Sequence, residues 1–324
     1  MSVNDSLKTF GISLDRTYDL YMFFLGLIPA LTDKEAELVE IRKSKHLAKD
    51  YELNPNLRFV NNELSSILQK SVKINKWNDE KGLYWNDDII RHLLRLIHES
   101  DMINEYMNSE YSLAKDVDFF TEILKKTVYK DEELAGYLES KSIYWDDELY
   151  YIEKMDCDED NIDIDNIDEI ITRCRAENRY SSERLVSSSV EVVKDFVVKT
   201  IRKIDSGSDV DSYIIPMYKD QDDERFGVHL LRQAIINYNE YLKLIENHLS
   251  NQWDKERLPD MDVAIMILAI TEFLHFPNIP VSVTINEYVE LSKCYSTPKS
   301  SIFVNGVIDS VANYLKKERK ILKN

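Results

Sequence analysis

The sequence predicts an all-α protein, and three observations carry that prediction. Glycine and proline occur only seven times each in 324 residues, too few for a fold built of many short strands and turns. Apolar residues recur at spacings of three and four over long stretches. Hydrophobic residues make up 44% of the chain and charged residues 31%, a globular mixture that can fill one large core or two ordinary ones.

From the N-terminus, Leu14, Tyr18, Tyr21, Leu25 and Ile28 mark a helix over 14–46 that Pro29 should kink or interrupt. YELNPN at 51–56 reads as a turn, and Phe59–Val72 as a second helix. Two segments then resemble each other, KGLYWNDDII at 81–90 and KSIYWDDELY at 141–150. Each sets Tyr-Trp before acidic or amide residues. A binding repeat is one reading. The better one is a pair of anchored helix starts, with Asn86 or Asp146 capping free N–H groups and the rings packing on neighbours. Between them, 88–106 and 114–128 form a helical hairpin, with Ile89, Leu93, Leu96 and Ile97 on one apolar face and Val117, Phe120, Ile123, Leu124 and Val128 on the other.

Residues 156–170, DCDEDNIDIDNIDEI, are acidic, but no frame places a glycine sixth and a glutamate twelfth as a calcium loop requires. The span 155–190 reads as a mobile, solvated excursion with a short helix, IDEIITRCR, inside it. Helix resumes at 190–204. A single long amphipathic helix is expected over 220–249, with Phe226, Leu230 or Leu231, Ala234, Tyr238, Tyr241 and Ile245 as its stripe. The segment 258–280 is apolar nearly all round in its middle, so it should be the central core helix, started by Asp260 or Asp262 and ended by Pro277 and Pro280. In the next helix, Ile285, Tyr288 or Val289, Leu291 and Tyr295 should face the core, with capping from Thr284 and Glu287 or from Ser282. In the last, Phe303 or Val304, Val307, Val311 and Leu315 should pack.

The formal net charge is −18, which repels a phosphate backbone at long range and suits a basic protein partner. Cys157, Cys174 and Cys294 have no short spacing, so neither a disulfide framework nor a zinc knuckle is indicated, and a reducing cytoplasm fits. The N-terminus lacks a basic stretch followed by an apolar run, so no signal peptide is expected. The most apolar windows, 21–31 and 263–276, are too short to span a bilayer. Chemistry is sparse. His46, His92, His98, His229, His248 and His275 form no HExxH, and no glycine-rich phosphate loop occurs. No enzyme, metal or cofactor is expected.

The ordered series of core helix, NIPVSVTINE, ELSKCYS and FVNGVID resembles the C-terminal part of the NusB transcription antitermination family. With 223–249 it covers roughly the last 100 residues. DFVVKTIRKI at 195–204 and LDRTYDLYMFFLGLIPALTD at 14–33 look like elements of longer homologues with large N-terminal insertions. The resemblance implies a NusB-like helical bundle over 191–324. Residues 1–190 would then be a helical extension containing a first bundle helix near 14–31.

It also implies a role in transcription of ribosomal RNA operons, through boxA-type RNA and ribosomal protein S10 (NusE), within an RNA polymerase complex in the cytoplasm. The implied RNA surface is Val281, Ser282, Lys299, Ser301, Ile302 and Phe303, with Phe303 as a stacking ring or alternatively a core residue. Asp262 matches an acidic position facing the S10-like partner, and it also suits a helix N-terminus. Asn286 and Asn305 are assigned structural roles as buried hydrogen-bonding links, and Gly306 as a point of close approach. Three departures weaken the RNA reading. The chain opens without the family's Arg-rich first helix, Ile267 and Ile302 stand where basic residues are often found, and Ser282 stands where lysine is frequent. The alternative is therefore a helical scaffold that binds an S10-like protein without appreciable RNA binding.

Overall fold

Helix boundaries in this protein follow polar caps and prolines. The computed structural model describes residues 2–46, 49–145, 151–155, 180–184, 189–207, 209–249, 258–296 and 300–321. Helix α1 spans Val3–Leu25 and α2 spans Leu27–Lys43. The break falls at Gly26, as Pro29 requires: proline has no N–H to give the Leu25 carbonyl four positions back, and its ring crowds that carbonyl, so the helix is interrupted there. The chain divides into two compact units, one of residues 12–147 and 188–217, the other of residues 1–11, 148–187 and 218–324.

In the first unit, helices follow α2 in short pieces: α3 (Asp50–Leu53), α4 (Glu63–Gln69), α5 (Val72–Lys81), α6 (Asp87–Glu99), α7 (Asp101–Met107), α8 (Leu113–Lys126) and α9 (Glu132–Lys141). The helix expected over 59–72 is shorter, because Asn62 accepts the Ser65 N–H and starts α4. The first arm of the hairpin is split at Ser100, though Ile89, Leu93 and Ile97 of its predicted apolar face are buried and Leu96 half-buried. Ser71, Asn86, Ser112 and Asp131 likewise accept N–H groups in the first turns of α5, α6, α8 and α9. Each such cap is worth about 0.5–2 kcal/mol.

The anchored helix start holds for the first Tyr-Trp segment, where Asn86 caps α6 behind Trp85, while the start expected after Trp145 lies outside the described residues. Trp85 stacks on Phe23 with centroids 3.9 Å apart, and Trp145 stacks on the same ring at 5.7 Å. The Trp145 indole N–H donates to the Arg16 carbonyl at 2.7 Å. Asp146 lies outside the described residues.

A buried polar knot closes this unit. Arg58 and Asp116 pair at 2.6 Å with both side chains 1% exposed. The Tyr106 hydroxyl donates to Asp116 at 2.8 Å and accepts from Arg58 at 3.0 Å, while Asp116 also accepts the Glu63 N–H at 2.7 Å. Helix α10 (Ser189–Ile201) joins the same core through Val190, Val193, Val197, Val198 and Ile201. These valines group 188–217 with 12–147 in one compact unit.

The second unit holds a two-stranded ribbon, β1 (Tyr151–Met155) antiparallel to β2 (Tyr180–Arg184), which the helical reading did not foresee. The short helix expected at 167–175 lies outside the described residues. The long helix expected over 220–249 is two, α11 (Gln221–Ile236) and α12 (Tyr238–Asn247), parted at Asn237. The break turns Tyr238 off the predicted stripe and leaves it 44% exposed, while Ala234, Tyr241 and Ile245 are buried. A Cβ at Gly227 would lie 2.7 Å from the Phe10 ring, so glycine is what lets α1 approach α11 there.

Helix α13 (Asp260–His275) is the central core helix, with Val263, Ile265, Met266, Ile267, Ala269, Ile270 and Phe273 all buried. Helices α14 (Val281–Tyr295) and α15 (Ser300–Lys317) pack on it. Val304, Val307, Val311 and Leu315 are buried as expected. Leu291 and Tyr295 instead stay exposed, because α14 meets the core along Thr284, Tyr288 and Ser292.

Two predictions follow from these cores. Asp116→Ala strands the Arg58 guanidinium in the interior and should cost about 3–5 kcal/mol. The change is read by urea unfolding followed through tryptophan fluorescence, since Trp77, Trp85 and Trp145 all lie in this unit. In the second unit the Tyr241 hydroxyl and His275 Nε2 share a hydrogen bond at 2.9 Å. Burial, then the nearby His229, pushes His275 below its ordinary value of 6.5. The unfolded chain therefore takes up a proton near pH 6.5 that the folded chain resists, and stability falls as pH drops below that point. Melting temperatures between pH 7.5 and 5 should fall less steeply for His275→Gln than for the unaltered chain. Equal slopes would assign the loss to other groups.

Candidate nucleic-acid and partner interface

The helix preceding the candidate surface is fixed by a buried carboxylate. Glu272, near the end of α13, is 6% exposed. It accepts from the Thr284 hydroxyl at 2.6 Å and from the Tyr288 hydroxyl at 3.2 Å. Burial, then the Glu272 charge and its hydrogen bond, push the Tyr288 phenol well above its ordinary value. The pair of bonds clamps the first two turns of α14 against α13. It also explains why Thr284 and Glu287 do not form a capping box. The Thr284 hydroxyl is committed across the helix pair, and no side chain caps α14, whose N-cap is Pro280.

That clamp sets Val281 and Ser282 at the first turn of α14, Val281 buried and Ser282 exposed. The rest of the candidate RNA set lies in the first turn of α15. Ile302 is 79% exposed, Ser301 is half-buried, and Phe303 is half-buried against the bundle core. Lys299 lies outside the described residues. Helices α14 and α15 are joined by only four residues, which makes them antiparallel neighbours. The two clusters therefore occupy opposite ends of the hairpin, about 20 Å apart by the length of α14. The structure does not gather them into one pocket.

The remaining assigned residues divide. Asp262, in the first turn of α13, is 1% exposed, and its Oδ1 has no hydrogen-bond partner among the described residues. Asn286 and Asn305 are exposed, so they are not the buried links expected of them. The link is made by Glu272, Thr284 and Tyr288 instead. Gly306 has open space where a Cβ would point, so nothing among the described residues approaches it closely there. Glu272 was missed in the sequence, although a lone carboxylate in an apolar helix is itself a signal of a buried polar partner.

The electrostatics of this surface are poor for phosphate. Between Asp260 and Leu315 the only basic side chains of Lys or Arg type are Lys293 and Lys299. Lys293 is paired with Glu290 at 2.6 Å. Among the described residues no group of histidine, cysteine and carboxylate side chains is placed to hold a metal ion. An open cleft of about 420 Å3 between α6 and α9, lined by Asn86, Asp88, Glu133 and Tyr137, presents no nucleophile beside a base. No helix among the described residues is long and apolar enough to cross a membrane.

Comparison with known proteins places residues 193–313 in the NusB family. The transcription antitermination protein NusB of Natranaerobius thermophilus is 40% identical, over 31% of this chain and 85% of that protein. Its counterpart in Koribacter versatilis is 41% identical, over 32% of this chain and 70% of its own length. That of Salinibacter ruber is 37% identical over 30% and 60%. No solved structure matches. The family match thus takes in the sequence of most of α10, of α11–α14 and of most of α15, including the apolar central helix and the FVNGVID segment. The chain belongs to the NusB family.

Proposed function

We propose that this protein acts as a transcription antitermination factor, working in ribosomal RNA transcription through a boxA-type RNA and an S10-like ribosomal protein. One observation carries the reading: the chain aligns with 85% of a relative named as a transcription antitermination protein, across the same helical bundle. The role assigned is regulatory binding rather than catalysis, and the cytoplasm is its natural setting. The RNA would lie on Ser282 and on the first turn of α15, with Phe303 stacking on a base. The half-buried ring of Phe303 keeps one edge on the core while the exposed Ile302 beside it marks an open surface. Asp262 would face the S10-like partner once that partner opens or replaces what surrounds it.

A second reading has a specific observation in its favour. The surface over 281–303 is nearly free of unpaired cations, and the whole chain carries −18. On that reading the bundle is a scaffold that binds the S10-like protein alone. In either case RNA binding by the isolated chain is weak at this surface, and only the antitermination reading has it strengthen in a ternary complex.

The test is a titration of labelled boxA-type RNA at low salt, with and without an S10-like protein. The expected result is RNA binding that tightens with the partner. Phe303→Leu, which keeps apolar packing but removes the ring, should weaken the ternary complex by about 1–3 kcal/mol, roughly 5- to 150-fold. Binding of the S10-like protein with no uptake of RNA would favour the scaffold. Binding of neither would sink the proposal.

A further inference from the structure

The acidic balance of the chain reverses at the end of α15. Lys316, Lys317, Arg319 and Lys320 stand together with Glu318 as the only carboxylate among them. All five are exposed, and none of the four cations is in an ion pair among the described residues. The segment is held in one geometry. The Lys320 N–H donates to the Leu315 carbonyl and the Arg319 N–H to the Lys316 carbonyl, the paired bonds of a Schellman turn. Ile321, 5% exposed, then pins the chain into the bundle core. The cations are thus presented on a fixed turn.

Helix stability does not account for them. Cations in a last turn gain about 0.3–1 kcal/mol each from the helix dipole, which suits Lys316 and Lys317. Arg319 works against the turn. It adopts φ 56°, a left-handed conformation that costs an L-residue roughly 1–2 kcal/mol and that glycine fills without strain. This chain thus has an arginine at a position where the backbone favours glycine.

Aromatic surface adjoins the charge. Tyr314, 38% exposed, lies one turn before Lys317 on the same helix face. Its ring meets His248, at the end of α12, with centroids 5.0 Å apart. His248 Nδ1–H donates to the Leu244 carbonyl at 2.7 Å, which fixes the imidazole against the helix and leaves Nε2 on its other side. Fixed cations beside aromatic rings are the combination that holds a single strand, phosphates on the charges and bases on the rings. The antiparallel hairpin also puts this turn at the Ser282 end of α14, while Phe303 lies at the far end of α15, about 20 Å away by helix rise.

We propose that the turn Lys316–Lys320, with Tyr314 and His248, is a binding surface for the phosphate backbone of single-stranded RNA. It supplies the cations that the surface over 281–303 lacks, and a strand would run from the turn along α15 toward Phe303. The inference rests on the antitermination reading only for the choice of RNA.

The test is a salt titration of a labelled single-stranded boxA-type RNA with the full chain, starting near 20 mM salt. The comparison is with the variant Lys316→Gln, Lys317→Gln, Arg319→Gly and Lys320→Gln, in which glycine preserves the left-handed turn. Each lost phosphate contact on a single strand lowers the slope of log K against log salt by about 0.7, so the variant should lose about 2–3 units of slope. Its affinity at the lowest salt should fall at least tenfold, with an unchanged circular-dichroism spectrum. Tyr314→Ala with His248→Ala should weaken binding while leaving the slope intact.

Equal slope and affinity in the charge variant would overturn the proposal, as would polyglutamate competing as well as RNA, which would assign the turn to an acidic protein. Phe303→Leu separates the two readings. RNA binding lost with Phe303→Leu but kept in the charge variant leaves the antitermination site standing and removes the basic turn. The opposite pattern keeps the turn and moves the RNA off Phe303. No binding by the unaltered chain overturns the turn, while antitermination can still stand through the ternary complex.

Discussion

The bundle depends on one constraint: α13 is apolar on almost every side and has to be covered on every side. Seven of its residues between Val263 and Phe273 are buried hydrophobics, so no single neighbour can satisfy it. Helices α11, α12, α14 and α15 all contact α13, and the bundle is the set of faces they turn toward it. At roughly 1.5–3 kcal/mol per fully buried large side chain, this cover is the largest stabilising term in the unit. Glu272 is the exception that orients it. A carboxylate in such a helix costs several kcal/mol unless it is hydrogen-bonded, so Thr284 and Tyr288 must come to it, and α14 acquires a fixed register. The first unit shows the same logic, where Arg58 and Asp116 are tolerated in the interior because each neutralises the other.

What was legible in the sequence follows from that distinction between pattern and partner. The central helix, the buried face of α15 and the apolar faces of α6 and α8 could be read because local spacing alone decides them. The misses came where a distant residue decides. Nothing local in 220–249 marks Asn237 as a break. Thr284 has capping-box spacing with Glu287, yet its hydroxyl goes to a carboxylate twelve positions back in the chain. The caps at Asn62, Ser71 and Ser112 are the reverse case. They have the right residue types, and a closer reading of them would have shortened the helices of the first unit.

The candidate site was legible in part. Of the residues the family segments assign to the two first turns, Ser282 and Ile302 are exposed and Val281 is buried. Sequence order could not show that α14 folds back and sets them at opposite ends. Asn286 and Asn305 looked like interior links because they flank apolar residues, but on a helix adjacent positions point about 100° apart, and both fall on the outside. The basic turn lies just past Leu315, where the family resemblance ends, and its cations are diluted in a chain whose total is strongly negative.

That total is a poor guide to local binding. At physiological salt the Debye length is about 8 Å, so charges farther than that from the turn are largely screened from a strand lying on it. The −18 of the whole chain then governs mainly the approach of a polyanion, which it slows. The four cations on the turn govern the contact. A protein arranged this way should bind nucleic acid late and locally, after something else has brought the strand near. An S10-like partner that carries RNA to the bundle would do this, which makes acidity and a role in transcription compatible properties of one chain.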